Sequence, residues 1–248
     1  MTEKKREAIS IFDAIGVIAD IQTGFIDSFK EANKIYNIKD FRCNVFFSCY
    51  DLVTNSRLIL SMLGYSLSNG MQTEDWWIKW GCYYSLALEK IPDFSIYVKD
   101  KTGQLLWHTR DTISQNLFIY VEGFLRTVSR QLGIEGKDLY TVRDNLLKKS
   151  LGFTDDEVIP LIIYQHLRNS VHNKGLHFNP KYPHVKYKLN KYKYEFKHDE
   201  KFYFDWYMLG ELLLEINKIL WKIVNHEKIK QIATVTDKNF IVRYDDEE

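Results

Sequence analysis

Proline and cysteine are scarce in this chain, and their scarcity excludes several classes of protein. Among 248 residues there are 4 prolines and 3 cysteines, and Cys43, Cys49 and Cys82 form neither a CxxC pair nor an even disulfide set. A small disulfide-stapled secreted domain is therefore excluded, and we expect inert core thiols in a protein of a reducing compartment. No Pro-rich or Gly/Ser-rich stretch divides the chain, which favours one domain.

Long apolar runs and an excess of one charge are missing as well. No run approaches the roughly 18 apolar residues that cross a bilayer, and the charged N-terminus lacks the apolar core of a signal peptide. The net charge is +1, so an anionic partner must be attracted by a local patch rather than by a global field. These features predict a cytoplasmic protein without a membrane partner.

Sequence motifs of three common enzyme classes are also missing. The chain has no P-loop, no GxGxxG between a strand and a helix, no HExxH and no GxSxG. Nucleotide-driven, zinc-protease and serine-hydrolase functions therefore lose their usual sequence support.

Apolar residues recur at three- and four-residue steps through most of the chain. This periodicity predicts a mainly α protein, a multi-helix bundle with a small antiparallel β-hairpin insertion. The predicted helices cover residues 5–34, 41–67, 76–90, 111–133, 142–151, 154–173 and 206–232. Thr154 and Glu157 form a capping box, and Pro160 is expected to kink or restart the helix that follows. Residues 94–107 alternate only weakly and predict a short hairpin or a surface loop.

Residues 181–204 change to a period of two, with apolar side chains alternating with lysines around Asn190 and Lys191. This pattern predicts a hairpin, with a third short strand at 202–204. Two interpretations stay open. The lysines attract phosphate while the tyrosines stack on bases, or the aromatic side packs on the core and the lysines protect a sheet edge. The candidate RNA-binding residues of this segment are Lys186, Lys188, Lys191 and Lys193.

The segment Arg168-Asn169-Ser170-Val171-His172-Asn173 is the one stretch with recognisable chemistry. The apolar stripe of its helix consists of Ile163, Leu167 and Val171. Arg168 and His172 are four residues apart on a different flank, shared by Leu161, so one phosphate can meet a fixed cation and a titratable group. An ordinary solvated helix face is the plainer interpretation. A mixed face of this kind also suits a homodimer interface.

The run from Leu167 to Gly175, LRNSVHNKG, resembles the RNase motif of the HEPN superfamily, small helical domains common in toxin, antiviral and RNA-processing systems. In many members an arginine, a polar residue and a histidine at the helix end mark a metal-independent endoribonuclease whose cleft is shared by two subunits. Fewer residues separate Arg168 from His172 here than in the usual signature, and His177 is a longer-spaced candidate. The resemblance implies a core at 108–232, with a helical layer at 1–107 and a tail at 233–248.

The resemblance also implies a reaction, in which His172 takes a proton from an RNA 2′-hydroxyl while Arg168 neutralises charge on the attacked phosphate. Asn169 would orient the imidazole or the phosphate, and Asn173 and Lys174 would bind RNA. No metal or other cofactor is implied. The implied partners are RNA, a second copy of the chain, and a cognate antitoxin or another protein. The alternative is a non-catalytic helical module that uses the same surface for dimerisation or partner binding.

Overall fold

The chain folds as a mainly α bundle that carries one two-stranded hairpin. The computed structural model describes residues 9–79, 94–173, 175–178 and 183–236. The elements are, in order, α1 Ile11–Asn33, α2 Phe41–Ser68, α3 Glu74–Lys79, α4 Phe94–Gln131, α5 Leu139–Arg143 with the π-helical turn Asp144–Ser150, α6 Asp155–His172, β1 His184–Leu189, β2 Tyr192–Lys197, α7 Trp206–Val224 and α8 Glu227–Lys230. Cys82, Lys174 and the later part of the helix predicted at 76–90 lie outside the described residues.

Five of the helices close a ring around one hydrophobic core. α1 packs on α2, α2 on α4, α4 on α6, α6 on α7, and α7 returns to α1. The last pair approaches closely because α7 has a glycine at the contact, where an added Cβ on Gly210 would lie 2.6 Å from Val17 Cγ1. The first two helices thus share their core with the later ones, and the boundary expected after residue 107 falls inside α4.

The hairpin or surface loop expected at residues 94–107 is wrong, because α4 runs through the whole segment. Val98, Leu106 and Ile113 are all buried along it, and their spacing of about two helical turns directs them to one face. A Cβ on Gly103 would have no heavy atom within 4 Å, so this glycine costs the helix only its low propensity. Tertiary packing therefore overrides the turn signal around Gly103.

The end of the chain differs from the sequence expectation at two places. The helix predicted at 206–232 ends at Val224, and the Nδ1 atom of His226 accepts the Lys228 N–H to begin α8. The third strand expected at 202–204 is absent from the described range 183–236, where the nearest pairing is an isolated bridge between Leu176 and Lys201.

Two of the three cysteines can be compared with the expectation of inert core thiols. Cys43 and Cys49 are buried and unbridged, and loss of solvation raises the pKa of the Cys43 thiol to about 12. A thiol with a raised pKa is a poor nucleophile at neutral pH, so the expectation is confirmed for these two.

Over residues 9–79, 94–173, 175–178 and 183–236, no helix combines the length and apolar character needed to cross a membrane.

Candidate functional site

The helix α6 carries the arginine and histidine of the motif, and its start is fixed by local hydrogen bonds. The Thr154 side chain accepts the Glu157 N–H while the Glu157 carboxylate accepts the Thr154 N–H, so the predicted capping box is confirmed. Glu157 also accepts from Lys222 of α7, and this bond with the cap holds the pKa of Glu157 at about 2. The helix continues through Pro160 without a restart.

Arg168 lies half-buried on the flank of α6 that faces α4. Its guanidinium carbon is 5.4 Å from the centre of the Phe118 ring, and its Nη1 donates to Asn169 Oδ1 over 3.3 Å. In the described part of the chain no carboxylate pairs with Arg168. A guanidinium that is oriented by a ring and an amide, but not neutralised, retains its charge for an external anion.

His172 is the last residue of α6, and both it and the cap residue Asn173 are exposed. The core stripe lies elsewhere on the helix, since Ile163 and Leu167 are fully buried. The structure therefore leaves the imidazole in solvent at the helix end, one helical turn beyond Arg168. This arrangement agrees with the sequence prediction that the two side chains share a flank outside the core.

Leu161 does not belong to that open flank. The sequence predicts it on the same side as Arg168, yet Leu161 is buried within this chain. Position 161 lies two helical turns before Arg168, where neighbouring helices cover α6. A second subunit would therefore not contact Leu161.

The hairpin presents the lysines of the second candidate surface. Lys186, Lys188, Lys191 and Lys193 are all exposed. Lys188 pairs directly with Lys193 across the strands, whereas Lys186 is 3.1 Å from the Glu195 carboxylate. Like charges directly opposite each other repel. A phosphate bound between Lys188 and Lys193 would relieve this repulsion, so the pair attracts phosphate locally.

The aromatic side of the hairpin is closed. Tyr194 and Phe196 are buried, and the Tyr194 hydroxyl donates to the Met208 carbonyl of α7. The amphipathic interpretation is therefore correct for these two rings, and RNA bases do not reach them.

The lysine surface and the motif pair do not meet on one face of α6. The hairpin contacts this helix through His166, whose ring lies 5.8 Å from that of Tyr187 and 5.2 Å from that of Phe196. Steps of about 100° per residue place Arg168 roughly 160° around the helix from His166. The four lysines therefore extend a surface behind the motif and not the flank of Arg168.

His177, the longer-spaced candidate, is not placed for catalysis. It is 1% exposed, and its ring lies 5.1 Å from that of His166 and 5.4 Å from that of Phe196. The two histidines pack edge to face between α6 and the hairpin. His177 therefore belongs to the packing of the hairpin, and His172 is the histidine of the motif that RNA can reach.

Burial of His166 couples this packing to pH. Loss of solvation, together with smaller contributions from the charges of His177 and Arg143, lowers the pKa of His166 from 6.5 to about 4. The unfolded chain takes up this proton near pH 6.5, whereas the folded chain resists it until about pH 4. His166 thus favours folding above pH 6.5 and loses that contribution as the pH falls towards 4.

The parent protein loses stability when the pH is lowered from 6.5 to 4. We expect His166→Phe to lose roughly 3 kcal/mol less over the same range, because the buried histidine is gone. Urea unfolding of both proteins at pH 7 and pH 4 measures this change. His108→Gln, which alters an exposed histidine of α4, serves as the control and should keep the parent's pH dependence. An unchanged pH dependence in His166→Phe would contradict the assignment.

No family model, curated protein or solved structure matches this chain. Within the described ranges, no three His, Cys, Asp or Glu side chains are grouped as metal ligands.

Two features of the site were not predicted from the sequence. Phe118, which orients Arg168, lies on another helix and has no motif of its own. Trp107 and Tyr203 line a cavity beside the end of α6, and Trp107 falls in the segment whose helix the sequence pattern concealed. The sequence pattern could assign Trp107 to a helix only if α4 were known to begin at Phe94.

Proposed function

We propose that this chain is a HEPN-like, metal-independent endoribonuclease that acts as a homodimer. The observation that carries the proposal is the arrangement of Arg168 and His172, a guanidinium without a carboxylate partner in the described chain beside an exposed imidazole at the helix end. The resemblance of the segment from Leu167 to Gly175 to the HEPN motif supports the same function.

The reaction is an internal transesterification. The His172 imidazole removes the proton of the RNA 2′-hydroxyl, and the 2′ oxygen forms a bond to the adjacent phosphorus. The bond from phosphorus to the 5′ oxygen breaks, and that oxygen leaves with a proton taken up from water. The products are a 2′,3′-cyclic phosphate and a 5′-hydroxyl.

Arg168 assists by contacting the non-bridging oxygens of the attacked phosphate. Charge builds on these oxygens as the fifth bond to phosphorus forms, so a charge-assisted hydrogen bond strengthens in the transition state. Because Asn169 Oδ1 already accepts from Arg168, Asn169 positions the guanidinium and leaves its own amide N–H groups for the phosphate.

A second subunit completes the proposed cleft, with the two α6 ends facing each other. Exposed Asn173, with Lys174, then binds the flanking RNA strand by its phosphates. The hairpin lysines Lys186, Lys188, Lys191 and Lys193, which lie behind the motif, bind phosphates of the same strand outside the cleft. The HEPN resemblance also suggests a toxin or antiviral role, in which an antitoxin or another partner protein controls access to the cleft.

The test is cleavage of single-stranded RNA by the full chain in excess EDTA. We expect RNA to be cut to fragments ending in 2′,3′-cyclic phosphate, and strands of the same sequence with 2′-deoxyribose to stay intact because they lack the nucleophile. Failure to cut any of a broad set of RNAs, or equal cutting of the deoxyribose strands, would overturn the proposed reaction.

A second candidate function is a non-catalytic module for dimerisation or partner binding. It is favoured by the Phe118 contact that half-buries Arg168, and by the neighbouring Ile119, which is 61% exposed on α4. Arginine is enriched at protein interfaces, and their buried centre is more apolar than the rest of the surface. In this case Arg168→Ala changes the oligomeric state, measured by light scattering, and no RNA is turned over.

A further inference from the structure

A cavity of about 240 Å³ opens beside the C-terminal end of α6. Its walls come from α4, from the end of α6 and from the segment that precedes α7. The lining includes Trp107, Arg110, Val171, Lys201, Tyr203 and Phe204. Its position matters because Val171 lies three residues from Arg168, about 4.5 Å along the helix axis, and is adjacent to His172 in the chain.

One wall of the cavity is a rigid stack of flat groups. The Arg110 guanidinium carbon lies 3.9 Å from the centre of the Phe204 ring and 5.4 Å from that of the Trp107 ring. Arg110 is held in place by hydrogen bonds to the Phe204 carbonyl and to the Asp111 carboxylate. The guanidinium is therefore fixed among the aromatic rings before any ligand arrives.

The outer rings of this wall are open to solvent. Trp107 is 56% exposed and Tyr203 is 59% exposed, although both are large aromatic side chains that usually bury most of their surface. An exposed Lys201 lies at the same cavity. Exposed rings beside cationic groups form the combination that binds single-stranded nucleic acid, since bases stack on the rings and the cations attract the backbone.

We propose that this cavity binds one unpaired base of the RNA strand whose phosphate contacts Arg168 and His172. The inference rests on the proposed nuclease function and assigns its substrate class, which is single-stranded rather than duplex RNA. The volume is below the roughly 300–1,000 Å³ of pockets for drug-sized ligands, so it suits one ring system. A paired base cannot enter, because its ring faces are covered by its neighbours in the stack.

The experiment measures binding without cleavage. Short fluorescent oligonucleotides with 2′-O-methyl ribose cannot be cut, because the nucleophile is blocked, and their affinity is measured by anisotropy at fixed salt. One series carries all bases, and a second carries a single abasic site at each position in turn. For the parent protein we expect one abasic position to weaken binding about 5–150-fold, the range of one stacked base.

The variants Trp107→Ala and Tyr203→Ala are expected to show the same loss with the intact strand. Neither should lose more when the abasic site occupies the sensitive position, because the contact is already gone. Trp107→Phe keeps a ring and should retain part of the affinity. Tyr65→Ala removes a tyrosine of α2 that is 71% exposed and serves as the matched control, with affinity equal to that of the parent.

The base-binding proposal and the nuclease proposal can be rejected independently of each other. If Trp107→Ala and Tyr203→Ala bind like Tyr65→Ala, if no abasic position matters, or if no strand binds, the base site is overturned. RNA cleavage by the parent protein would then still stand on its own test. If base-dependent binding through Trp107 is found while no RNA is cleaved, the cavity is supported and the nuclease function is rejected.

Discussion

We expect His172→Ala to lower the rate of RNA cleavage by about 10²–10⁴-fold, the usual contribution of a general base. Of the three histidines between residues 166 and 177, all within the described part of the chain, only His172 is exposed, since His166 and His177 are buried against the hairpin. Its removal deprives the 2′-hydroxyl of a proton acceptor. Initial rates in EDTA, measured with one labelled RNA at saturating concentration, give the ratio directly.

The fold of this variant should be unaffected, because substitutions at exposed positions usually change stability by less than about 0.5 kcal/mol. His184→Ala removes another exposed histidine, paired with Glu195 on the hairpin, and should cleave at the parent rate. Equal rates for His172→Ala and the parent would remove His172 from the mechanism. Arg168→Lys tests the other group, because a lysine keeps the charge and loses the bidentate geometry.

The largest expected effect on stability is that of Arg42→Met, which should lower the free energy of unfolding by about 3–5 kcal/mol. Arg42 is 2% exposed and Asp40 is 3% exposed, and their side chains form a buried ion pair. Without the guanidinium, the Asp40 carboxylate remains buried without its charged partner. Urea unfolding at neutral pH measures the loss.

The same arginine holds the end of the chain on the bundle. Its Nη1 donates to the carbonyls of Ile229 and Ile232 and its Nη2 to that of Ala233, while the Asp40 carboxylate accepts the Val235 N–H. We therefore expect amide exchange to quicken first in the segment after α8. These carbonyls lose their buried donors in the variant, which adds to the cost.

Two further variants separate the ion pair from simple loss of an arginine. Arg57→Met removes an exposed arginine of the same helix, bonded to Gln22, and should change stability by less than about 0.5 kcal/mol. Asp40→Asn combined with Arg42→Met removes both charges and keeps an N-cap residue, so it should be less destabilised than the sum of the single changes. An Arg42→Met protein as stable as Arg57→Met would contradict the assignment.

Most of the helical architecture was predictable from local signals. The periodic apolar residues of α1, α2, α6 and α7, the capping box at Thr154 and the hairpin turn at Asn190 all follow from rules that act within a few residues. The mainly α bundle with a small hairpin is accordingly confirmed. Residues 94–107 were mispredicted because too few apolar residues mark the buried face of this part of α4. Val98 and Leu106 are recognisable as core residues only from their contacts with segments far apart in the chain.

The candidate site likewise combines features that local spacing predicts with features that depend on tertiary contacts. Spacing along one helix was sufficient to place Arg168 and His172 on a flank outside the core, since residues four apart on a helix always project together. The burial of Leu161 and His177, the Phe118 ring beside Arg168 and the cavity at Trp107 depended on contacts between segments far apart in the chain. Local periodicity specifies a direction on a helix, whereas only the packing of the other helices decides whether that direction ends in solvent, in the core or in a cavity.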